Sequence, residues 1–311
     1  MKKAFTLIEL VIAITITAIL ASIGTEIIST VYQNYIQTRS ITKLEAQTEL
    51  AITQISKRLQ YRIKQTLVGY EYERGKYKDM IKCEADCGIA WYMQSYESRR
   101  LGEANKTGWS GVINKATIAG NEINLSPGYG DEDVQNLKEV NKIIESITSK
   151  EVLKENRIAL IFKQIEDKAS KNYYEGNDPN KVYKAYFSGN NIIIDKKNEN
   201  IGDELEDLYY LSHTINRIYI DKKDNFDKVG GDLILETNFL PWDDKNKISS
   251  TIAKNVTTLR FTNFAKENNS ENNFVGSNGL ILKICIKDPN LKVGKKDNDP
   301  HLEVCKVKAI I

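Results

Sequence analysis

The sequence has 311 residues, of which 41% are hydrophobic and 28% are charged, and its formal net charge is +2. This composition is typical of a folded globular protein and excludes a largely disordered chain. The small net charge provides no global basic field, so we do not expect nucleic acid as a partner.

Residues for enzymatic chemistry are scarce. The whole sequence contains two histidines, His213 and His301, which argues against a metalloenzyme or a His-based acid–base catalyst. The sequence also lacks a Gly-rich phosphate loop, a nucleophile elbow and a His-Glu-x-x-His motif. We therefore predict a protein that is not an enzyme and assign no catalytic residue.

The N-terminus contains a predicted membrane segment. Two lysines precede an apolar run from Phe5 to Ile28, in which Glu9 is the only charged residue before Glu26. About 20 apolar residues in a helix cross the hydrocarbon core of a bilayer. The positive-inside bias then predicts a cytoplasmic N-terminus and an extracytoplasmic remainder.

Glu9 is the anomaly in this run. A carboxylate near the centre of a membrane span costs about 2.5–3.5 kcal/mol, so it needs a partner or a position near the interface. Cleavage just before Phe5 would create an α-amino group about one helical turn away. Between staggered neighbouring chains the same charge pair could set the register, so we predict an assembly role for Glu9.

Residues 2–10, Lys-Lys-Ala-Phe-Thr-Leu-Ile-Glu-Leu, resemble the type IV prepilin signature, which is a basic leader followed by Phe-Thr-Leu-Ile-Glu and an apolar helix. The resemblance implies that a prepilin peptidase cuts the Ala4–Phe5 bond and N-methylates Phe5, and that Glu9 is the glutamate of the family motif. The family usually has Gly before the cut, but Ala4 is also small, so we expect slower or tolerated processing. The alternatives are a plain membrane anchor and a secretory signal peptide cleaved within 18–22. The charge at Glu9 argues against the signal peptide.

The predicted helix continues beyond the membrane. Apolar or small residues recur at steps of three and four, at Ile41, Leu44, Thr48, Ala51, Ile55, Leu59 and Ile63. Pro and Gly are absent from Thr25 to Val68, so we predict one helix from Phe5 to about Leu67, ended by Gly69. The domain organisation is then a leader at 1–4, a membrane segment at 5–28, an amphipathic continuation at 29–68 and an extracytoplasmic body at 70–311. Many major pilins have a kinking Pro in this helix, so its absence favours a minor subunit.

The body is predicted to be α+β, with antiparallel sheet packed on the long helix. Residues 117–125 are typical of a hairpin, and a helix capped at 131–133 would present Val134, Leu137, Val140, Ile143 and Ile147 on one face. Seven further strands are predicted, at Arg157–Lys163, Asn191–Asp195, Ile215–Ile220, Asp232–Thr237, Val256–Thr262, Gly279–Lys287 and Glu303–Ile310.

The order of several strands is similar to that of J-type pseudopilins and W-type minor pilins. In those proteins a Tyr-rich strand, a Leu-rich strand and a Val-x-x-Leu-x-Phe strand follow one another. The matching segments here are 209–211, 215–217, 232–235 and 255–261.

The four cysteines form two local pairs in the sequence. Cys83 and Cys87 are four residues apart, and Cys285 and Cys305 flank the last predicted hairpin. Outside the cytoplasm paired cysteines usually form disulfides. Of the three possible connectivities we favour the local one, Cys83–Cys87 with Cys285–Cys305. The alternative is zinc held by Cys83, Cys87, His301 and Cys305, although this spacing matches no common finger.

Two loops are acidic, one with Asp221, Asp224 and Asp227 and one at residues 288–299. Some pseudopilins bind calcium in such loops, so the family resemblance makes these three aspartates weak calcium candidates. Neither loop has the spacing of an EF-hand, and we favour solvated turns without a cofactor. Trp91, Trp109 and Trp242 could stack on nucleic acid, as in some DNA-binding minor pilins, but aromatic residues more often serve in cores or interfaces.

The sequence thus predicts a minor pilin or pseudopilin that helps initiate or cap a type IV pilus or a type II secretion pseudopilus. The expected partners are other pilin or pseudopilin subunits, the prepilin peptidase, the inner-membrane assembly platform and the lipid bilayer. The expected location is the cytoplasmic membrane, and then the assembled filament. The alternative is a membrane-anchored extracytoplasmic binding or sensory domain that does not polymerise.

Overall fold

A computed structural model describes the fold of most of the chain. The described residues are 6–80, 83, 87–94, 110–112, 118–119, 122–124, 142, 145–146, 158–162, 171–175, 182–188, 191–194, 208–222, 224–245, 247–263, 279–294 and 299–310. They form one long helix and two antiparallel sheets, so the predicted α+β class is confirmed.

Helix α1 (Leu7–Gln60) is unbroken over 54 residues. It buries one stripe, formed by Ser40, Leu44, Thr48, Ala51, Ile52, Ile55, Ser56 and Leu59. This stripe largely coincides with the predicted one, and it packs along β14 (Leu280–Lys292) and β15 (His301–Ile310). Apolar packing therefore fixes the second half of α1 to the body.

The helix ends earlier than predicted. The sequence predicts that the amphipathic helix continues through residues 61–68, but α1 stops at Gln60 and a 3₁₀ turn at Lys64–Thr66 follows. The Ile63 N–H donates to Tyr92 O at 2.9 Å instead of continuing the helical ladder. A sheet partner thus overrides a sequence that has no local helix breaker.

The first sheet has eight strands, and all its neighbouring strands are antiparallel. Their spatial order is β15, β14, β13 (Ile248–Asn263), β12 (Gly231–Thr237), β11 (Ile215–Asp221), β3 (Gly88–Tyr92), β1 (Val68–Glu71) and β2 (Lys76–Lys78). The edge strand β15 and its neighbour β14 form the ribbon on which α1 lies.

The second sheet has seven shorter strands. Their spatial order is β4 (Ser110–Val112), β10 (Leu208–Ser212), β7 (Ile158–Phe162), β8 (Tyr183–Ser188), β9 (Asn191–Ile194), β6 (Glu122–Asn124) and β5 (Ile118–Ala119). Two short α-helices, α2 (Asn172–Glu175) and α3 (Phe226–Val229), and a second 3₁₀ turn at Tyr72–Arg74 complete the elements whose bounds the structure gives.

The first sheet carries a hydrophobic core on each face. On the α1 side, Leu44 and Ile55 pack with a cluster that includes Trp91 of β3. On the opposite side, Ala90 and Tyr92 of β3 pack with residues of β7. The described part of the protein is therefore layered as helix, sheet and sheet.

Every predicted strand has a counterpart in the structure, several with different limits. The hairpin at 117–125 is present as β5 paired with β6. β13 begins at Ile248 rather than Val256, and β14 continues to Lys292. The helix predicted from residue 131 lies largely outside the described residues, although Lys142, Glu145 and Ser146 are helical.

Candidate processing and assembly site

The predicted cleavage residues, Ala4 and Phe5, lie outside the described residues, which begin at Thr6. Thr6 is the N-cap of α1 and has extended backbone angles. One carboxylate oxygen of Glu9, Oε2, accepts hydrogen bonds from the Thr6 N–H at 3.0 Å and the Thr6 hydroxyl at 2.9 Å. Glu9 therefore satisfies a donor that the helix start leaves free. The Thr-x-x-Glu spacing is a capping signal that the sequence analysis missed.

The first part of α1 leaves its apolar side chains uncovered by the rest of the protein. An 18-residue window within α1 has a mean hydropathy of 2.3, and no part of that window is buried inside the structure. The uncovered apolar residues extend past the predicted span, because Tyr32 and Tyr35 are 63% and 60% exposed. By length and composition this helix can cross a membrane, with the two tyrosines where interfacial aromatics occur.

Threonine hydroxyls in the apolar part of α1 bond within the helix. Thr15 donates to Ile12 O at 2.9 Å, Thr17 to Ala13 O at 2.7 Å, and Thr25 to Ser22 O at 2.8 Å. Hydroxyls that already have an acceptor can enter hydrocarbon without an unsatisfied donor. Their presence is therefore compatible with a membrane segment.

Two polar contacts fix the point at which α1 leaves the body. The Ser40 hydroxyl donates to Asp288 of β14 at 2.5 Å, and Ser40 is the first buried residue of α1. The Lys306 ammonium of β15 lies 2.7 Å from the Glu49 carboxylate. The hydrogen bond and charge of Lys306 lower the pKa of Glu49. Residues before Ser40 therefore form a helical segment that projects from the body.

The cysteines are joined in the two favoured pairs, Cys83–Cys87 and Cys285–Cys305. Cys285 and Cys305 face each other directly in the β14–β15 ladder, with Cα atoms 4.0 Å apart. The other pair lies over Gly69 of β1. A side chain at Gly69 would collide with this disulfide, which explains a glycine inside β1.

The zinc alternative is not supported. Its four ligands would have to meet, but Cys83 and Cys87 lie over β1, whereas His301 and Cys305 lie in β15. Five strands of the first sheet, or about 29 Å, separate β1 from β15. Among the described residues, the one group of three potential ligand atoms within 4.8 Å of one another is Cys285, Glu303 and Cys305, and both cysteines are in the disulfide.

The acidic loop follows β11. Asp221 is the last residue of that strand, Asp224 lies in a turn, and Asp227 lies in α3. The Asp227 carbonyl accepts a hydrogen bond from Lys287 Nζ at 2.6 Å. These three carboxylates do not form a group of potential ligand atoms within 4.8 Å in the described structure.

The face opposite α1 carries an ionic and aromatic cluster that sequence reasoning missed. The Arg217 guanidinium lies 4.3 Å from the Tyr70 ring centroid and 4.9 Å from that of Phe239. Its Nε donates to Glu236 at 2.6 Å, and Lys247 lies 2.8 Å from the same carboxylate. Burial alone would raise the pKa of Glu236, but the two cations outweigh burial and lower it. Residues 217 and 236 lie opposite each other in the β11–β12 ladder. This ion pair cannot be recognised in the sequence, because the register of the two strands is needed to find it.

The two described tryptophans lie in or against the cores. Trp91 is fully buried, and Trp242 packs partly buried against the second core. Trp109 lies outside the described residues. Trp91 is thus a core residue, and Trp242 packs against the surface of a core.

Comparison with known proteins identifies the N-terminal motif. Residues 1–25 match the family model for the prokaryotic N-terminal methylation motif. No curated protein and no solved structure matches the chain. The motif supports a type IV prepilin-like protein, and the uncovered apolar helix that contains it fits this family. The motif implies processing by a prepilin peptidase and, in general, other pilin subunits as partners. The motif and the apolar helix together fit an inner-membrane anchor.

Proposed function

We propose that this protein is a minor pilin or pseudopilin, which helps initiate or cap a type IV pilus or a type II secretion pseudopilus. The main supporting observation is the division of α1 at Ser40, where an uncovered apolar half meets a half that is fixed to the body. The absence of Pro from α1, which is unbroken over 54 residues, supports a minor rather than a major subunit.

The division of α1 suggests how the subunit assembles. In the bilayer, lipid covers the apolar side chains of residues 7–36. In a filament, the same side chains pack against the helices of neighbouring subunits, and packing with charge pairing at Glu9 stabilises the contact. The assembly platform and its ATPase supply the work of extraction. The body lies outside the cytoplasm, which is consistent with its two disulfides.

The strand order gives weaker support for a J-like or W-like subunit. The four matching segments lie in β10, β11, β12 and β13, which follow one another along the chain. The last three are also neighbours in the first sheet, with the Leu-rich β12 in the middle. The order along the chain is the one that the family resemblance implies.

Mass spectrometry of the native protein tests processing. We expect loss of residues 1–4 and a methylated N-terminus at Phe5. Ala4→Leu should accumulate as an uncut precursor, because the bulkier side chain precedes the scissile bond. An intact leader in the wild-type protein would contradict the proposal.

Site-specific photo-crosslinking tests assembly. A crosslinker at Leu20, which is 64% exposed in the apolar half, should capture other pilin-like subunits in cells. The matched control is Ile248 of β13, which is 50% exposed on the body. Processing without any capture at Leu20 would instead favour the anchored binding or sensory domain that does not polymerise.

A further inference from the structure

We propose that the open edge of β15 pairs with an extended segment of a companion pilin-like subunit, which adds a ninth strand to the first sheet. The partner is recognised by its main chain, through the hydrogen bonds of a sheet. The inference rests on the proposed function, because it takes assembly with other subunits as given. It assigns to the body a contact that the packing of α1 does not supply.

The edge strand β15 is unusually long and regular. It has ten residues, whereas the other edge strands of the two described sheets, β2, β4 and β5, have three, three and two. Proteins usually shorten their edges or interrupt them with a bulge or a proline, because unpaired backbone groups pair with other chains. From Glu303 to Ile310, β15 contains no proline, and its register with β14 does not shift. This part of the edge is therefore suited to pairing.

The geometry of the ladder shows which backbone groups of β15 face outward. The Cα atoms of Cys285 and Cys305 are 4.0 Å apart. This distance is closer to the value of about 4.5 Å for a pair without mutual hydrogen bonds than to about 5.5 Å for a hydrogen-bonded pair. The N–H and C=O of Cys305 therefore point away from β14. The alternation of an antiparallel ladder extends this direction to Glu303, Val307 and Ala309.

These outward groups are open in the part of the chain that the structure describes. Among the described residues, the backbone of residues 303–310 forms hydrogen bonds with β14 alone. The side chains of Cys305 and Ala309 are exposed, and Val307 is 63% exposed. They lie on the face of the ribbon opposite α1, because the alternate residue Lys306 contacts α1. An added strand would therefore extend the sheet beside an uncovered face.

The charges beside the edge have both signs. Lysines often protect an edge, but Lys306 lies 2.7 Å from Glu49 of α1, and the charge of Lys308 acts on the same carboxylate. Both lysines are thus on the α1 side of the strand. Glu45 lies one helical turn before Glu49, and Glu303 accepts a hydrogen bond from Thr257 of β13. Because neither sign of charge dominates, the backbone rather than a charged patch defines the partner as an extended polypeptide segment.

The direction of α1 argues for a companion subunit rather than a second copy joined edge to edge in antiparallel fashion. Ser40 contacts Asp288, which lies near the Glu303 end of β15. Glu49, farther along α1, contacts Lys306. The helix and the strand therefore run in the same direction, so two antiparallel β15 edges would point their membrane helices in opposite directions. In the proposed assembly, helices that pack on residues 7–36 place their bodies beside this one, and any extended segment of such a body can pair.

Residue-resolved amide hydrogen exchange tests the edge in the full-length protein. In detergent micelles without companions, the inward amides of Lys306 and Lys308 should exchange at least about 100-fold more slowly than those of Val307 and Ala309, because exchange of a ladder amide requires local opening. In the complex purified with companion subunits, the two outward amides should become similarly slow. Slow exchange of these amides in the protein alone would mean that its own chain covers the edge, which would overturn the inference.

A substitution at Val307 tests whether the backbone carries the contact. Val307→Pro removes an outward N–H, a change that an edge strand tolerates. Val307→Ala is the matched control, because it shortens the same side chain and keeps the N–H. A photo-crosslinker at Ala309 should capture a companion subunit, identified by mass spectrometry through its own N-terminal methylation motif. Val307→Pro should lower this capture at least about fivefold, the equivalent of one net hydrogen bond, and Val307→Ala should leave it near the wild-type level.

Controls separate this inference from the proposed function. Thermal unfolding and an intact Cys285–Cys305 bond must show that Val307→Pro is folded; if it is not, the exchange pattern of the wild type decides. Capture at Leu20 without capture at Ala309 would remove the edge contact but leave the proposed function intact. Absence of capture at both positions would contradict both.

Two further outcomes would also overturn the inference. An equal loss of capture in Val307→Pro and Val307→Ala would assign the contact to the side chain rather than to strand pairing. A crosslinked product that contains two copies of this chain would make a second copy, rather than a companion subunit, the occupant of the edge.

Discussion

Glu9 shows how one carboxylate can serve two states of the protein. Within a single chain it accepts the Thr6 N–H and hydroxyl, so the charge is solvated by the start of its own helix. In an assembly the same carboxylate can pair with the α-amino group of a neighbour, because a carboxylate accepts several hydrogen bonds. The cap therefore supports the subunit before assembly without preventing the pairing that we propose.

Two substitutions of Glu9 distinguish the role of its charge from its role as the helix cap. Glu9→Leu removes both, whereas Glu9→Gln keeps an acceptor for Thr6 and removes the charge. Both variants should be inserted and cut, because neither changes the scissile bond and Leu lowers the transfer cost of the span. Both should fail to co-purify with companion subunits, because an unpaired buried charge costs about 3–5 kcal/mol. Wild-type incorporation of Glu9→Gln would show that the cap, rather than the charge, matters.

His213 predicts a pH dependence of folding stability. It is buried between β10 and β11, and burial lowers its pKa from 6.5 to about 4. His213 therefore binds a proton in the unfolded chain as the pH falls below 6.5, whereas in the folded protein it stays neutral until about pH 4. The contribution to stability is present above pH 6.5 and is lost as the pH falls toward 4, by up to about 3 kcal/mol.

Urea unfolding at several pH values measures this loss. The comparison is with His213→Gln, which is neutral at every pH and should flatten the curve between pH 6.5 and 4.5. Protonation of carboxylates such as Glu236, whose pKa is lowered, changes the stability mainly below this pH window. Identical slopes for the wild type and the variant within the window would mean that His213 titrates normally.

At the scale of elements, the sequence predicted those helices and strands whose buried residues recur at regular intervals. The buried stripe of α1 follows the three- and four-residue steps, and the alternating strands β11, β12 and β15 lie where they were predicted. β3 was missed because Gly88–Tyr92 is buried on both faces, so its residues show no alternation. The end of α1 was misplaced because a hydrogen bond to β3 determines it.

The start of β13 was also not predictable from pattern alone. Residues 248–254 are largely exposed and rich in Ser and Thr, so they resemble a loop, but they pair with β12. Asn255 has a positive φ of 58°, and the pairing of β13 with β14 begins only after it, at Val256. This irregularity divides β13 into two segments: the segment before Asn255 pairs with β12 alone, and the pairing with β14 is made by the segment after it.

The close packing of β1 against the Cys83–Cys87 disulfide predicts that a methyl group added at Gly69 destabilises the fold. A Cβ at Gly69 would lie 2.1 Å from Cys83 Sγ and 3.0 Å from Cys87 Sγ. Gly69→Ala should therefore reduce stability by about 1–3 kcal/mol, because β1 or the disulfide must move. The control is the same substitution in a Cys83→Ala, Cys87→Ala background, where the clashing sulfurs are absent. An equal loss in both backgrounds, measured by urea unfolding, would contradict the proposed clash.

At the scale of the whole molecule, α1 belongs to two environments. Residues 7–39 project from the body, and residues 40–60 complete its core. The uncovered apolar side chains continue to Ile36, beyond the predicted end of the membrane segment at Ile28. A useful truncation must therefore remove more of the helix than the hydropathy of the sequence suggested.

Two truncations test this division. A protein that begins at Gln37 should fold as a soluble monomer, because every residue of the buried stripe is retained. A protein that begins at Val31 should fold equally well but self-associate more, because it keeps Tyr32, Tyr35 and Ile36. Light scattering and thermal unfolding measure both properties. Aggregation of the shorter protein with intact disulfides would mean that the body does not cover its part of α1.

The parallel course of α1 and β15 has a mechanical consequence. A pull on the apolar half of α1 along its axis enters the body through Ser40 and Glu49 and is directed along β14 and β15. Such a load pulls both strands in the same direction, so the hydrogen bonds of the β13–β14 ladder, which join this ribbon to the rest of the sheet, resist together rather than opening one at a time. The Cys285–Cys305 bond joins the two loaded strands covalently and prevents the edge strand from sliding past its neighbour. The subunit is thus built to transmit tension from its membrane helix into a covalently locked ribbon.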